Sequence, residues 1–279
     1  MPRLQNLLLW LCSQRSVCPA QMSGEAESTA SYTREPCRRR TVNSSYRNPS
    51  YLGLAMSRDF IGYGRHYPRV EWPDKAQIAV SLVVNYEVGA ESSVEESDPT
   101  AERMSEVTGI WPVENRRDFT VESTYQYESR VAVWRLFDLF DEYNVKTTFF
   151  ACGQALEKTP EVAREITSRD HEPCSHGYRW VERHLRMNRD EERQEIRRTV
   201  EAIKRTTGER PYGWFYLGGP TLNTRELLAE EEFLYDSHAF DDEIPYTVKA
   251  AGRNFVSVPY SNDVNDFHFW LNRFSRVRR

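Results

Sequence analysis

Two residues in this sequence stand where a carboxylate and an imidazole could share work on a proton. His176 follows a short apolar stretch and precedes a glycine in His171-Glu-Pro-Cys-Ser-His-Gly-Tyr-Arg-Trp180. Glu87 closes the near-continuous apolar run Ile78-Ala-Val-Ser-Leu-Val-Val-Asn-Tyr-Glu-Val-Gly89, also just ahead of a glycine. Both read as strand ends, and in a parallel α/β fold the reacting groups gather at the carboxyl ends of strands. On one rim, such a pair could take a proton from water and return one to a departing group. Each residue also has a structural alternative: a hydrogen-bonded structural histidine and an exposed carboxylate at a strand end.

The elements that would hold them follow from apolar periodicity. From Gln77 onward short apolar runs alternate with amphipathic stretches, which predicts parallel strands joined by helices. The expected strands are Ile78 to Asn85, Lys146 to Ala151, the stretch leading to His176, Tyr212 to Leu217, Phe233 to Ser237 and Phe255 to Tyr260, six in all. Ile78, Val80, Leu82, Val84, Phe149, Phe150, Val256 and Val258 are expected to be mostly buried, because parallel strands are covered on both faces. Helices are expected over Ser129 to Asn144, Pro160 to Ile166, Arg189 to Thr207 and Asn223 to Glu232. In the first, Ser129 would be the N-cap, Asn144 the terminator, and Val133, Phe137, Phe140 and Tyr143 the buried stripe. Ala90 to Glu122 is polar and too long for an ordinary connection, so a lid or pocket wall is expected there.

With 279 residues and 39% hydrophobic content the chain can bury one large α/β core. The first 56 residues hold seven basic and three acidic residues, so a net charge of −5 overall leaves −9 on the remaining 223. Such an acidic body is a poor partner for nucleic acid or polyanionic polymers. Leu7 to Cys12 is too short an apolar run to span a membrane. The five cysteines show neither zinc spacing nor a disulfide framework, which fits a reducing compartment, with Cys152 and Cys174 read as buried thiols. A cytoplasmic location is expected, with a mitochondrial presequence in the Arg- and Ser-rich residues 1–56 as the alternative. That segment is expected to be a disordered extension. Association into a homo-oligomer is left open.

Asn85-Tyr-Glu87 and His176-Gly-Tyr-Arg-Trp180 together resemble the polysaccharide deacetylase (NodB-homology) superfamily, whose motifs are Thr-Phe-Asp-Asp at a strand end and His-Ser/Gly-x-x-His. The resemblance is closer to its branch of metal-independent allantoinases and cyclic imide hydrolases, which carry Asn-Tyr-Glu and His-Gly-Trp/Tyr-Arg-Trp at those places. It runs from about Arg58 to Phe274. It implies an α/β fold, a distorted and incomplete (β/α) barrel, and hydrolysis of a C–N bond in a small cyclic amide or ureide. Glu87 would be the base and His176 the donor to the oxyanion or leaving nitrogen.

By the same resemblance, Val121-Glu-Ser-Thr-Tyr-Gln-Tyr-Glu-Ser-Arg-Val-Ala-Val-Trp134 and Phe233-Leu-Tyr-Asp-Ser-His-Ala-Phe-Asp-Asp-Glu-Ile-Pro-Tyr246 contribute pocket residues. Tyr86, Glu122, Tyr125, Arg130, Trp180, Asp236 and Asp242 would bind substrate, with Trp180 an apolar wall against a flat ring. The metal-dependent members hold their ion with the second Asp of the first motif and both His of the second. Val88 and Trp180 stand at two of those positions here, and a single imidazole cannot replace the three ligands of a catalytic zinc. His184, in a charged lead-in, is expected to be exposed rather than a substitute. No metal or other cofactor is therefore expected. At a third motif, Leu217-Gly218 replaces the family's usual Arg. The family continues past Asn262 to a late histidine-bearing segment, whereas this sequence stops at Arg279, which suggests a truncated product. Two alternatives stand beside the cyclic amide hydrolase: an inactive truncated homologue, and a metal-dependent deacetylase of N-acetylated sugars.

Overall fold

A computed structural model describes residues 59–103 and 113–266. The expectations for residues 1–56 and for the basic end of the sequence lie outside them. The chain divides into two units, 1–79 and 80–279. Within the first, the described residues form a single 3-10 turn, Pro73–Lys75.

The second unit is built on strands β1 (Val83–Tyr86), β2 (Thr148–Ala151), β3 (Glu172–Ser175), β4 (Gly213–Trp214), β5 (Tyr235–Asp236), β6 (Tyr246–Ala250) and β7 (Arg253–Ser257). Its helices are α1 (Phe119–Tyr127), α2 (Val133–Glu142), α3 (Gly153–Lys158), α4 (Pro160–Ser168), α5 (Arg189–Thr207) and α6 (Thr224–Glu230). The strands form one sheet in the order β1-β2-β3-β4-β5-β7-β6. Every neighbouring pair is parallel except β6 and β7. This is an α/β fold with the strand and helix succession of a (β/α) barrel, left open between β1 and β6.

The register decides what the fold offers chemically. Tyr86 pairs with Ala151, Ala151 with Ser175, Ser175 with Trp214, Trp214 with Asp236 and Asp236 with Ser257. The strand ends therefore lie in one row, and the residues that follow them form a common rim: Glu87, Cys152, His176, Phe215, Ser237 and Val258. Cys152 and Cys174 are free, buried thiols.

Helix α5 has the expected bounds. Asn188 and Glu191 close a capping box at its start, and Gly208 ends it at φ 80° in the left-handed region that glycine enters without penalty. The helix before β2 differs from expectation. It begins at Asp118, whose carboxylate accepts from Thr120 and Val121 N–H, and passes through Ser129 as a π-helical turn, Glu128–Ala132, into α2. Asp118 is an equally good cap, and the π turn resets the helical phase so that Val133, Phe137 and Phe140 still face the core. Tyr143 is instead 67% exposed, because it caps the helix just before Asn144 turns the chain at φ 48°.

Burial of the first strand also needs correction. Phe149 and Phe150 are buried and Val84, Val256 and Val258 half-buried, but Ile78, Val80 and Leu82 are 72%, 71% and 41% exposed. The regular strand starts only at Val83, and β1 lies at the edge of the open sheet with β2 as its one neighbour among the described residues. A parallel edge strand does not gain the two-sided cover assumed for an interior one.

A seventh strand, β6, pairs antiparallel with β7 through Ala251-Gly252, both at positive φ (47° and 71°), as a two-residue hairpin turn requires. Its alternation of buried Val248 and Ala250 with exposed Thr247 and Lys249 is that of a strand wet on one side.

Candidate active site

On the rim, the Glu87 and His176 side chains meet, with Oε1 and Nε2 3.1 Å apart. Both residues are buried. The other ring nitrogen of His176, Nδ1, lies 2.9 Å from the Phe215 carbonyl oxygen, which can only accept. Nδ1 therefore carries a proton, and the Nε2–Oε1 contact requires a second proton between the two groups. The pair is either imidazolium with carboxylate or imidazole with carboxylic acid, one proton moving over one hydrogen bond. That arrangement can accept a proton from one partner and give one to another.

Aromatic rings surround the imidazole. Phe215 lies 5.1 Å from it and Phe150 6.3 Å, centre to centre, and Tyr260 stacks on Phe215 at 5.1 Å. Burial, with the nearby Asp266 and Glu87 carboxylates, pushes the Tyr260 phenol above its ordinary value. Burial and then Glu87 push Tyr125 further up, so both phenols keep their protons at neutral pH.

A second carboxyl supports the backbone at Glu87. Glu128, in the π-helical turn, accepts from the N–H groups of Glu87 (3.1 Å) and Val88 (3.0 Å) through Oε2. Burial and the Glu87 charge raise its pKa to about 8, against the lowering effect of those two N–H groups. The folded protein thus binds a proton here that the unfolded chain releases near the ordinary value of 4.5. This contribution to stability is complete below that value and is lost as pH rises through about 8. Relative to Glu128→Gln, which keeps an acceptor oxygen, the wild type should lose about 1–3 kcal/mol between pH 5 and pH 8 in urea unfolding. The comparison needs the variant because His171, held by burial at about 4, contributes in the opposite direction at acid pH. A pH-independent difference between the two proteins would show that Glu128 is ionised throughout.

The remaining expected site residues are dispersed. Tyr125 is buried and lines a cleft beside Val88, and Glu122 lines it too, with its carboxylate clasped by Arg117 at 2.9 and 2.6 Å. Tyr86 faces the opposite side of its strand from Glu87. It is buried in the core, its hydroxyl bonded to Thr159 at 3.0 Å. Trp180 is packed into the same core cluster as Val88, and its backbone N–H donates to the Ala90 carbonyl. Arg130 is exposed on the π-helical turn. Asp236 is fully buried, but its oxygens are held by Arg225 (2.7 and 3.2 Å) and Ser257. Asp242 accepts from the N–H groups of Glu243 and Ile244 and so shapes a turn.

His184 is not exposed, as its charged neighbours suggested. Its ring stacks on Tyr216 at 3.9 Å, and Nε2 donates to the Gly219 carbonyl. The residue is only 3% accessible, because Tyr216 covers one face of its ring.

The donor set does not fit a metal. Among the described residues no group of three His, Cys, Asp or Glu could hold an ion. His176 has both ring nitrogens engaged, and Val88 and Trp180, packed in one core cluster, offer no ligand atom.

Several residues of this site escaped the sequence reading: Glu128, Phe215, Tyr260, and the Arg179–Asp98 pair that ties the loop after β1 to the loop after β3. Glu128 precedes the expected Ser129 cap and so fell outside the expected helix. Phe215 was legible as the residue after a strand end, had β4 been ended three residues earlier, at Trp214.

The profile of the Polysaccharide deacetylase family matches residues 114–232. A Schizosaccharomyces pombe protein that carries the polysaccharide deacetylase name is 32% identical over 233 residues, 76% of this chain and 72% of its own. The chain belongs to the polysaccharide deacetylase family. Among solved structures, the crystal structure of Puue Allantoinase is similar at 38% identity with a TM-score of 0.71, over 78% of this chain and 72% of that one. A Pseudomonas aeruginosa structure described as a probable polysaccharide deacetylase follows at 40% identity and 0.70, over 77% and 72%. A Helicobacter pylori peptidoglycan deacetylase is 32% identical over 143 residues, 50% of this chain and 48% of its own. The chain is thus a deacetylase-family hydrolase fold. No helix among the described residues is long and apolar enough to cross a membrane.

Proposed function

We propose that this protein hydrolyses the C–N bond of a small cyclic amide or ureide without a metal ion. The carrying observation is the Glu87–His176 contact at 3.1 Å, with Nδ1 of His176 pinned on the Phe215 carbonyl. In the imidazolium–carboxylate form, Glu87 takes the proton of an attacking water. His176 gives its Nε2 proton to the departing nitrogen, and the amide bond breaks with one water consumed. The rings of Phe150, Phe215 and Tyr260 beside the imidazole suit a flat, uncharged ring substrate. The similarity to an allantoinase structure supports the same class.

The alternative, a metal-dependent deacetylase of N-acetylated sugars, has the peptidoglycan deacetylase similarity in its favour and lacks a ligand set for the ion among the described residues. Purified protein should hydrolyse allantoin or succinimide at a rate unchanged by a strong chelator or by added zinc. Stoichiometric zinc on His176, with activity lost to chelator, would move the protein to the deacetylase reading. No turnover of any cyclic amide by folded protein would leave an inactive homologue.

A further inference from the structure

His238 does not touch Glu87 or His176 in any contact described above, yet one peptide unit connects it to them. It lies two residues past the end of β5, with its side chain only 1% accessible. Its Nε2 accepts the Tyr216 N–H at 2.7 Å. The carbonyl of that same peptide unit belongs to Phe215, and its oxygen is the acceptor for His176 Nδ1 at 2.9 Å. Two histidines from two strand ends thus hold one amide, one at its N–H and the other at its oxygen.

The contacts also place the proton on His238. A ring nitrogen that accepts an N–H carries no proton, so in the neutral ring the proton sits on Nδ1. Nδ1 lies 3.9 Å from Asp236 Oδ2, beyond hydrogen-bond distance but within reach of the carboxylate's charge, which favours the proton there. Asp236 is itself clasped by Arg225 at 2.7 and 3.2 Å. Burial holds the His238 pKa below its ordinary value, in keeping with a neutral ring.

We propose that His238 is a positioning residue for the Glu87–His176 pair and acts through the Phe215–Tyr216 peptide unit. Held at its N–H, the amide plane cannot turn, so the Phe215 oxygen stays where His176 Nδ1 donates to it. An amide whose N–H is donated is also polarised toward its oxygen and accepts more strongly there. Both effects keep a proton on His176 Nδ1 and leave Nε2 to meet Glu87 Oε1 at 3.1 Å. Asp236, expected from the sequence to bind substrate, acts here by fixing the tautomer of His238.

The inference deepens the proposed function and rests on it for what the positioned pair does, whereas the positioning itself is read without turnover. Full-length protein carrying ¹⁵N-labelled histidine is compared with His238→Leu, which removes the acceptor and keeps an apolar filling, and His238→Gln, whose side-chain oxygen restores an acceptor. In the wild type the His238 ring should show Nδ1 protonated and Nε2 bare. In His238→Leu the His176 Nδ1–H resonance should shift and exchange with water about tenfold faster or more, and in His238→Gln it should return toward the wild-type position. On a cyclic amide the Leu variant should lose about tenfold or more in kcat with KM little changed, and the Gln variant should recover part of that loss. A protonated Nε2 on His238 in the wild type overturns the inference whether or not the Leu variant folds. An unmoved His176 resonance, or an unchanged kcat, in a folded Leu variant overturns it too. Absence of turnover in a wild type with the expected spectrum would count against the proposed function alone.

Discussion

Glu87→Gln is expected to lower turnover of a cyclic amide by about 10²- to 10⁴-fold while leaving the protein folded, the range a positioned general base contributes. Gln matches Glu in shape, and its amide N–H can donate to His176 Nε2, so the 3.1 Å contact keeps a proton and the imidazole keeps its orientation on Phe215. What disappears is the carboxylate's capacity to take a proton from water. KM should change little, and the urea midpoint should stay within the range of a surface substitution. Full activity in this variant would remove Glu87 as base, and the neighbouring Glu128 would be the next carboxyl to examine. The two are separable: Glu128→Gln retains the acceptor for the Glu87 and Val88 N–H groups, so its effect should lie in the pH dependence of stability.

The parts of this fold that were legible in the sequence are those where local chemistry and tertiary structure demand the same residues. Helix α5 could be bounded to the residue because Asn188, Glu191 and Gly208 encode its two ends and Ile196, Val200 and Ile203 its buried face. Glu87 and His176 could be placed on one rim because parallel strands with aligned ends allow nothing else once each residue closes a strand.

The misjudged parts depended on information that is not local. Nothing in Ile78-Ala-Val-Ser-Leu82 says that the regular strand will begin only at Val83, and Ile78 and Val80 stay exposed in the irregular stretch before it. The π turn at Glu128 leaves no signature in apolar spacing, since it works by adding a residue to a helix whose stripe then resumes. His184 is surrounded by charge in sequence and by Tyr216 in space.

The motif His176-Gly-Tyr-Arg-Trp180 divides its work in a way that spacing alone did not reveal. Its histidine faces the Glu87 carboxyl, whereas Arg179 and Trp180 hold a different loop in place. Trp180 N–H bonds to the Ala90 carbonyl, and the Arg179 guanidinium reaches the Glu91 carbonyl at 2.8 Å. The segment that follows Glu87 is thus fastened by the segment that follows β3, and the Glu87 and His176 side chains are kept in register by the residues between them.

The strength of that fastening can be stated as a number. Arg179 Nη1 and Nη2 meet the two oxygens of Asp98 at 3.1 and 2.5 Å, both side chains being only 8% accessible, and Asp98 also accepts from Ser93 N–H at 2.9 Å. Arg179→Met keeps the length and apolar stem of the side chain but leaves a buried carboxylate without its cation. Breaking a buried pair on one side costs about 3–5 kcal/mol, far more than an exposed pair would. The variant should therefore unfold at markedly lower urea concentration. Arg179→Lys should recover only part of the loss, since an ammonium cannot make the two-pronged contact. Asp98→Leu combined with Arg179→Met should be less destabilised than the sum of the single changes, because the second substitution removes the charge that the first one strands. An Arg179→Met cost below about 1 kcal/mol, or strict additivity in the double variant, would mean that the pair is effectively solvated and that the loop carrying Glu91 is held by Trp180 and the backbone instead.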